Sequence, residues 1–512
     1  MSETLNPVQL GLFVSRLEAV CEEMGAVLQR AAFSPNIKDR LDFSCAIFDA
    51  RGELCAQAAH IPVHLGSMAY AMADIVGACD WAPGDMLVLN DPFLGGTHLP
   101  DVTVVAPYFR DGELLAFIAN RAHHADIGGS TPGSMPLSQT LEEEGVVIPP
   151  TRLQRGGVLQ RQLLDDWFGP SEHGDFIAQL SANRCGLQRL DELVSMLPLS
   201  FEVAVSQLQD YAEQLSVHRL RELPAGEFYF SDVMDDDGFG HEDLPICASL
   251  RLADGRAHVD FSGTAPQVQG NINCPRSVAA AAVYYAFRCL MPDEAPVCAG
   301  LFRPITLAVP EGSLLNARRP AAVAAGNVET SMRACDVVLG ALAQAVPELI
   351  PAAAHGSMNN VAMGSLDGQP WHYYETLAGG SGGHSQGEGL SAVQCHMTNT
   401  LNTPIESLEM HYPLRVTRYA LRRHSGGAGE HRGGDGLIRE FEFLASARFT
   451  LLTERRRVRP WGLNGGEAGV SGENRLNGNV LPGKVSAQAQ PGDRLSIATP
   501  GGGGWGVVRE GA

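Results

Sequence analysis

Apolar residues recur at helical spacing along the start of the chain. Leu10, Phe13, Val14, Leu17, Val20 and Cys21 fall on one stripe behind Asn6, a good N-cap, and Pro7, suited to the first helical position. This predicts an N-terminal helix over the first ~35 residues that buries the stripe. The pattern then changes period. Residues 42–49 and 86–89 are short apolar runs that predict buried strands, with a helix over 66–79 between them. Residues 102–109 and 114–119 are strand-like runs on either side of Asp111-Gly112, a pair suited to a turn with positive φ. Folded as an antiparallel hairpin about that turn, position i faces roughly 223 − i. Pro100 then faces His123, and Asp101 faces Ala122.

Further along, the polar, Pro-rich stretch 128–161 predicts one long loop of the kind that is functional or disordered. Helices are predicted over 176–196, 201–223, 277–290 and 330–345, and a strand-rich stretch begins near Glu227, with a second hairpin at Asp254-Gly255. From about 355 the chain turns to short strands and glycine clusters at 379–383, 425–429, 433–436 and 501–504. Helices and strands cluster rather than alternate, which favours an α+β class. The expected fold is a large mixed, multi-layer body in three regions. Residues 1–225 form an N-terminal α/β region with a candidate metal site, 226–350 a middle α+β region, and 351–512 a strand-rich, Gly-rich C-terminal region.

Composition narrows the function. A chain of 512 residues with 45% hydrophobic content can bury a large core. Its net charge of −21 argues against nucleic acid and against an anionic membrane surface as partners. No run of 18 apolar residues predicts a membrane span, and the first residues lack the basic start and apolar core of a secretory leader. Eleven cysteines, an odd number with no Cys-x-x-Cys pair, suggest reduced thiols in a cytoplasmic protein.

The chemistry gathers around the predicted hairpin. His98, Asp101 and His123 should converge at one end of it. Two imidazoles and one carboxylate are a common ligand set for a catalytic divalent ion (manganese, zinc or iron), with positions left for water or substrate. On spacing alone, a hydrogen-bonded structural cluster fits equally well. Gly95-Gly96 would let backbone approach a ligand closely. His124 is the weaker candidate, because neighbours in a strand point to opposite faces; with Asp126 it is assigned a supporting or substrate-contacting role. Asp42 reads as a fourth ligand, a base, or a strand-entry carboxylate paired with Arg40. His60 and His64 are four apart, but Pro62 between them weakens a helical zinc motif, so both are expected to line the pocket or orient the ligands. Glu144, in the run Glu142-Glu143-Glu144, is either a general acid or base or part of a solvated face. Asp235-Asp236-Asp237-Gly238 reads as a turn. Arg455, Arg457 and Arg459 would share one face of a strand, positioned for a phosphorylated intermediate, an acidic subunit or the protein's own carboxylates. The sequence has no phosphate loop, and none of its Gly-x-Gly-x-x-Gly or Gly-x-Ser-x-Gly combinations joins a predicted strand to a predicted helix, as a dinucleotide site or a nucleophile elbow requires. A reaction that needs ATP would therefore draw it from a partner.

Ordered blocks run along nearly the whole chain: Asp42-Phe43-Ser44-Cys45-Ala46, His60-Ile61-Pro62-Val63-His64-Leu65-Gly66, Asn90-Asp91-Pro92, Gly95-Gly96-Thr97-His98, His123-His124-Ala125-Asp126, Gly326-Asn327-Val328-Glu329-Thr330 and Tyr374-Glu375-Thr376. In these blocks the chain resembles the hydantoinase B/oxoprolinase family, which includes a subunit of N-methylhydantoinase, the C-terminal half of 5-oxoprolinase and a subunit of acetone carboxylase. The resemblance implies one subunit of an ATP-dependent cyclic amidase. A hydantoinase A-like ATPase partner would bind ATP and phosphorylate the amide oxygen, and this chain would complete ring opening within a hetero-oligomer. It implies metal ligands at His98, Asp101 and His123 with Asp42 close by, and Asp42 or Glu144 relaying a proton. The Gly-rich loops would offer N–H groups to phosphate. A carboxylase subunit and a non-catalytic scaffold for the ATPase are the competing readings, and the cyclic amide is left open among hydantoin, 5-oxoproline and other lactams.

Overall fold

The N-terminal helix, Pro7–Ala31, forms as its first residues require. The Asn6 side chain accepts from the Gln9 N–H, and the Gln9 side chain accepts from the Asn6 N–H, each at 2.9 Å, so two otherwise orphaned donors are satisfied reciprocally. The buried stripe of Leu10, Phe13, Leu17, Val20, Cys21 and Met24 then packs on a sheet. The computed structural model describes residues 4–58, 60–77, 79–170, 173–366 and 370–508. The expected mixed architecture is what the chain adopts: among the described residues, helices with several sheets and no barrel.

The first sheet is antiparallel and carries the candidate site. Its strands run in the order Leu54–Gln57, Phe43–Asp49, Glu113–His123, Asp101–Arg110, Met86–Leu89, Thr151–Arg155 and Val158–Leu159. Strand alternation sorts the side chains between two helical layers. Cys45, Ile47, Ile118 and Asn120 face the helices Pro7–Ala31 and Gly174–Ser195, where Asn120 donates to the Gln179 carbonyl and to Asn183. Ala46, Phe48, Val105, Phe117 and Ala119 face the helix Pro62–Gly77. That helix in turn lies close against Arg276–Arg288, with Gly66 so near Ala281 that a Cβ would overlap its backbone.

The remaining sheets have four, four and five strands. One orders Ile305–Ala308, Arg256–Asp260, Glu242–Ala253 and Gly226–Asp236, with the second Asp-Gly hairpin at the expected place. The next orders His372–Glu375, Asn360–Ser365, Ala447–Leu452 and Lys484–Ala489. The last runs from Leu414–Arg422 to Asn479–Leu481.

Three expectations change. The stretch 128–161 is not one loop. It contains the helix Leu141–Glu144 and two strands, the first of which pairs with the otherwise bare edge of Met86–Leu89. That first strand lies beside the two-residue edge strand Val158–Leu159, and only Leu153 and Gln154 of its five residues are buried, so its polar pattern concealed it. The arginine run is not a strand. Arg455 takes a left-handed φ of 62° and is buried between Asp232 and Asp336, Arg457 pairs with Glu242, and Arg459 donates to the Gly469 carbonyl. Arg455 spends its charge in the interior, whereas Arg457 and Arg459 are exposed and bond within the chain. Most N–H groups of the Gly-rich segments are used within the protein and are not open to an anion. The segments lie side by side and bond one another: Gly502 donates to the Gly434 carbonyl, Gly434 to Ser381, Gly427 to Gly502, and Gly383 to Gly503. Glycine is needed there for close approach of one backbone to another.

Candidate metal centre

The hairpin delivers the site through an irregularity. Asp111 and Gly112 both take positive φ, 52° and 86°, and near the turn Arg110 faces Glu113 as the 223 − i rule requires. Leu115 then bulges out, the register shifts by one, and Asp101 faces His123 instead of Ala122. Directly opposed residues point to the same face, and a one-residue slip turns them to opposite faces. The bulge therefore brings Asp101 and His123 together, on the side of the helix Pro62–Gly77. His98 arrives from the preceding loop. Gly95 takes a φ of 106°, and Gly96 lies so close to the Asn90 carbonyl that no Cβ would fit. This glycine pair serves the loop's own tight packing. Arg121, two residues before His123 on the same face, donates to the Gly95 carbonyl at 2.9 Å and so ties that loop to the sheet.

His98, Asp101 and His123 are buried, and one ligand atom from each lies within 4.8 Å of the others. His98 Nε2 and His123 Nδ1 each lie 3.2 Å from Asp101 Oδ1. His98 Nδ1 donates to the Ala324 carbonyl at 3.3 Å, which leaves the lone pair of the neutral ring on Nε2. His123 Nδ1 donates to Asp101, which likewise leaves its lone pair on Nε2. His123 Nε2 has no hydrogen-bond partner, and His98 Nε2 makes no aligned hydrogen bond although it stands beside Asp101 Oδ1. Buried nitrogens without partners are costly, and a cation would use both lone pairs. The donor set and its burial fit a divalent ion.

Other side chains brace the carboxylate. Thr97 donates to Asp101 Oδ2 at 2.6 Å, Asn327 donates to the same oxygen at 3.3 Å, and His64 Nε2 stands 3.1 Å from it. Burial would push the Asp101 carboxyl up, but His98, His64 and the hydrogen bond from His123 hold it well below the usual carboxylate range. Burial opposes a proton on His98, yet Asp101 keeps its pKa above the ordinary value; for His123 burial wins and lowers it. A cavity of about 20 Å³ adjoins the three residues, lined also by Asp42, His64, Asn327, Tyr374, Thr398 and Thr400. That is room for one water or one ion. Asp42 is buried, with its carboxylate 3.9 Å from His64 Nε2 and 3.8 Å from the Arg40 guanidinium, and its backbone carbonyl accepts from the His123 N–H.

Four sequence candidates lie off the cavity. His60 packs on Phe43, with ring centroids 4.8 Å apart. His124 points to the other face of the sheet, against Phe176 and 2.9 Å from Gln179 Oε1. Asp126 accepts from Ser134 and the Gly128 N–H and sits 3.3 Å from His372. Glu144 is buried rather than solvated, and its Oε1 accepts from Ser138 and from the N–H groups of Val323 and Ala324. It touches His98 only through Ala324. Asn327 and Tyr374 reach the cavity from more than two hundred residues away, and no local spacing marks them.

Burial pushes Glu144 from an ordinary 4.5 up to about 7, against its three hydrogen bonds. Between those values the folded chain keeps a proton that the unfolded chain has released. Its contribution to stability is thus intact below the lower value and is lost as pH rises through the higher one, by about 3 kcal/mol in all. Glu144→Gln, neutral throughout, is expected to lose less stability than the wild type between about pH 5 and 8. Denaturant midpoints at the two ends of that range measure the difference.

Comparison with known proteins adds relatives to this geometry. The sequence model of the hydantoinase B/oxoprolinase family matches residues 6–508. The chain is 40% identical to 5-oxoprolinase 1 of Arabidopsis thaliana, over 98% of this chain and 42% of that protein. It is 33% identical to a protein of a Pseudomonas species provisionally named as the B component of a D-/L-hydantoinase, over 98% of this chain and 90% of the relative. It thus spans about two-fifths of that 5-oxoprolinase and nearly all of the Pseudomonas protein. Among solved structures, the ATP-dependent caprolactamase of Pseudomonas jessenii matches with a TM-score of 0.92 at 29% identity, over 98% of this chain and 92% of that one. A nucleotide-free acetone carboxylase matches with a TM-score of 0.86 at 17% identity, over 98% and 76%, and at that identity it shares the fold alone.

Proposed function

The chain belongs to the hydantoinase B/oxoprolinase family, and on that premise we propose that it is the ring-opening subunit of an ATP-dependent cyclic amidase. Its partner would be a hydantoinase A-like ATPase that binds ATP and phosphorylates the amide oxygen. The observation that carries this reading is the buried cluster of His98, Asp101 and His123 at a small cavity, within a fold matched by an amide-opening enzyme.

A divalent ion held by those three residues would supply Lewis-acid stabilisation of charge at the reacting carbonyl. The chain's own residues do the rest. Asp101 stays ionised and aims two imidazoles, while Thr97 and Asn327 fix its orientation. Asp42 lines the cavity and is placed to take a proton from attacking water. Glu144 does not line it; its part is to hold the Val323-Ala324 backbone, whose carbonyl orients His98. A cavity of about 20 Å³ cannot hold a cyclic amide. Binding of a cyclic amide would therefore require the walls of the cavity to move.

Loss of amide resonance on phosphorylation makes the carbon a better electrophile and the nitrogen a better leaving group. Water adds to that carbon, the ring C–N bond breaks with its electron pair and a proton going to nitrogen, and a second water releases phosphate from the resulting acyl phosphate to leave a carboxylate. Co-expression with the ATPase tests this. The amidase reading expects ADP formation matched by ring-opened product from a hydantoin or 5-oxoproline, independent of bicarbonate. ATP turnover that requires bicarbonate and yields a carboxylated product would contradict it.

A further inference from the structure

A closed circuit of contacts passes through two of the three candidate ligands, Asp101 and His123, and most of it lies outside the strands that carry them. The short π-helical turn Gly326–Thr330 supplies two side chains that leave in different directions. π-turns of this kind are frequent at functional sites. Asn327 donates directly to Asp101 Oδ2 at 3.3 Å. Glu329 accepts at Oε1 from Asn360 Nδ2 at 2.7 Å and from the Met358 N–H at 2.9 Å. Asn360 is also tied to the Leu452 carbonyl at 2.8 Å, and its Oδ1 accepts from the Tyr374 hydroxyl at 2.7 Å. The Tyr374 ring lies flat on His123, with centroids 4.9 Å apart and planes 9° from parallel. From His123 the hydrogen bond to Asp101 closes the circuit.

Tyr374 is held firmly itself. It is buried, the Arg40 guanidinium lies 4.9 Å over its ring, and Arg40 donates to its backbone carbonyl at 3.0 Å. The His123 ring has one hydrogen bond, through Nδ1, and its Nε2 has none. One bond does not stop an imidazole from tilting about it, whereas a flat stacked ring does.

We infer that Tyr374 is a positioning residue for the metal centre, holding the His123 ring in the plane in which it faces the cavity while Asn360 and Glu329 hold Tyr374 in turn. This rests on the reading of His98, Asp101 and His123 as metal ligands. The Tyr374 hydroxyl donates to Asn360, which anchors the ring at its far end. The third sheet thereby sets the geometry of a site built on the first, which explains why Tyr374 and Asn360 meet residues so distant in the chain.

Cobalt(II), titrated into the purified full-length chain and followed by calorimetry and visible absorption, is the probe. Tyr374→Leu removes the stack, and it is expected to weaken cobalt binding about 10–100-fold and to alter the cobalt absorption bands. Tyr374→Phe keeps the stack and is expected to stay within about threefold of wild type, rescuing most of that loss. Wild-type affinity and an unchanged spectrum in Tyr374→Leu would overturn the inference, whatever happens to its melting temperature. If Tyr374→Leu does not fold, Asn360→Ser decides. A loss of about threefold or more supports the inference, and unchanged binding overturns it. Failure of the wild-type chain to bind cobalt would instead overturn the metal-site reading beneath it.

Discussion

His98→Ala should abolish ring opening while leaving the chain folded. His98 brings an Nε2 that makes no aligned hydrogen bond to the cavity, and its other nitrogen is fixed by the Ala324 carbonyl. Alanine removes a ligand and leaves the ionised Asp101 with less compensating positive charge, because His98 is the largest single influence holding that carboxyl down. Loss of one of three protein ligands is expected to empty the site at ordinary metal concentrations. The rate with the ATPase partner present should then fall by on the order of a thousandfold, or about 4 kcal/mol of barrier. A matched control separates this from simple damage to the core. His124 is also a buried histidine, and it bonds Gln179 on the other face of the sheet. His124→Ala should lower stability by a similar amount, a few kcal/mol, yet retain metal and activity. Equal losses of activity in the two variants would mean that His98 is merely structural.

The second large effect lies in the glycine bundle. Gly502→Ala would place a Cβ into the Ser381 carbonyl and against the Gly382 backbone. These are backbone atoms locked by hydrogen bonds, Gly502 to the Gly434 carbonyl and Gly427 to the Gly502 carbonyl, so no side chain can swing aside. The segments must separate, and the expected cost exceeds about 4 kcal/mol, in the range reserved for disrupted cores. Gly11→Ala supplies the contrast. It sits in the first helix with nothing within 4 Å of its added Cβ. There alanine should stabilise by about 0.5–1 kcal/mol through helix propensity alone. Thermal melts of the two variants should move in opposite directions; a shift of less than a few degrees in Gly502→Ala would show that the bundle is loosely packed.

Local signals carried the reading of sequence well. Asn6, Pro7 and the apolar stripe behind them specified the first helix. Asp111-Gly112 specified a turn that the chain makes with positive φ at both residues. What failed was whatever depends on partners distant in sequence. The bulge at Leu115 leaves no mark in the hydrophobic pattern, yet it decides whether Asp101 faces Ala122 or His123. Thr151–Arg155 became a strand because Met86–Leu89 offered it an edge. Glu144 looked like one of three solvated carboxylates until the 323–324 backbone closed over it. Asn327 and Tyr374 fall in blocks that carry the family resemblance, but nothing in their local spacing points to the cavity, because what places them there is a π-turn and a sheet assembled from later parts of the chain.

Anomalous diffraction from crystals of the full-length chain grown with manganese or cobalt tests the central claim most directly. The account predicts one strong peak bonded to the side chains of His98, Asp101 and His123 in the wild type, and no peak there in His98→Ala. A wild-type map without density between those three side chains, or with the ion bound elsewhere, would contradict it.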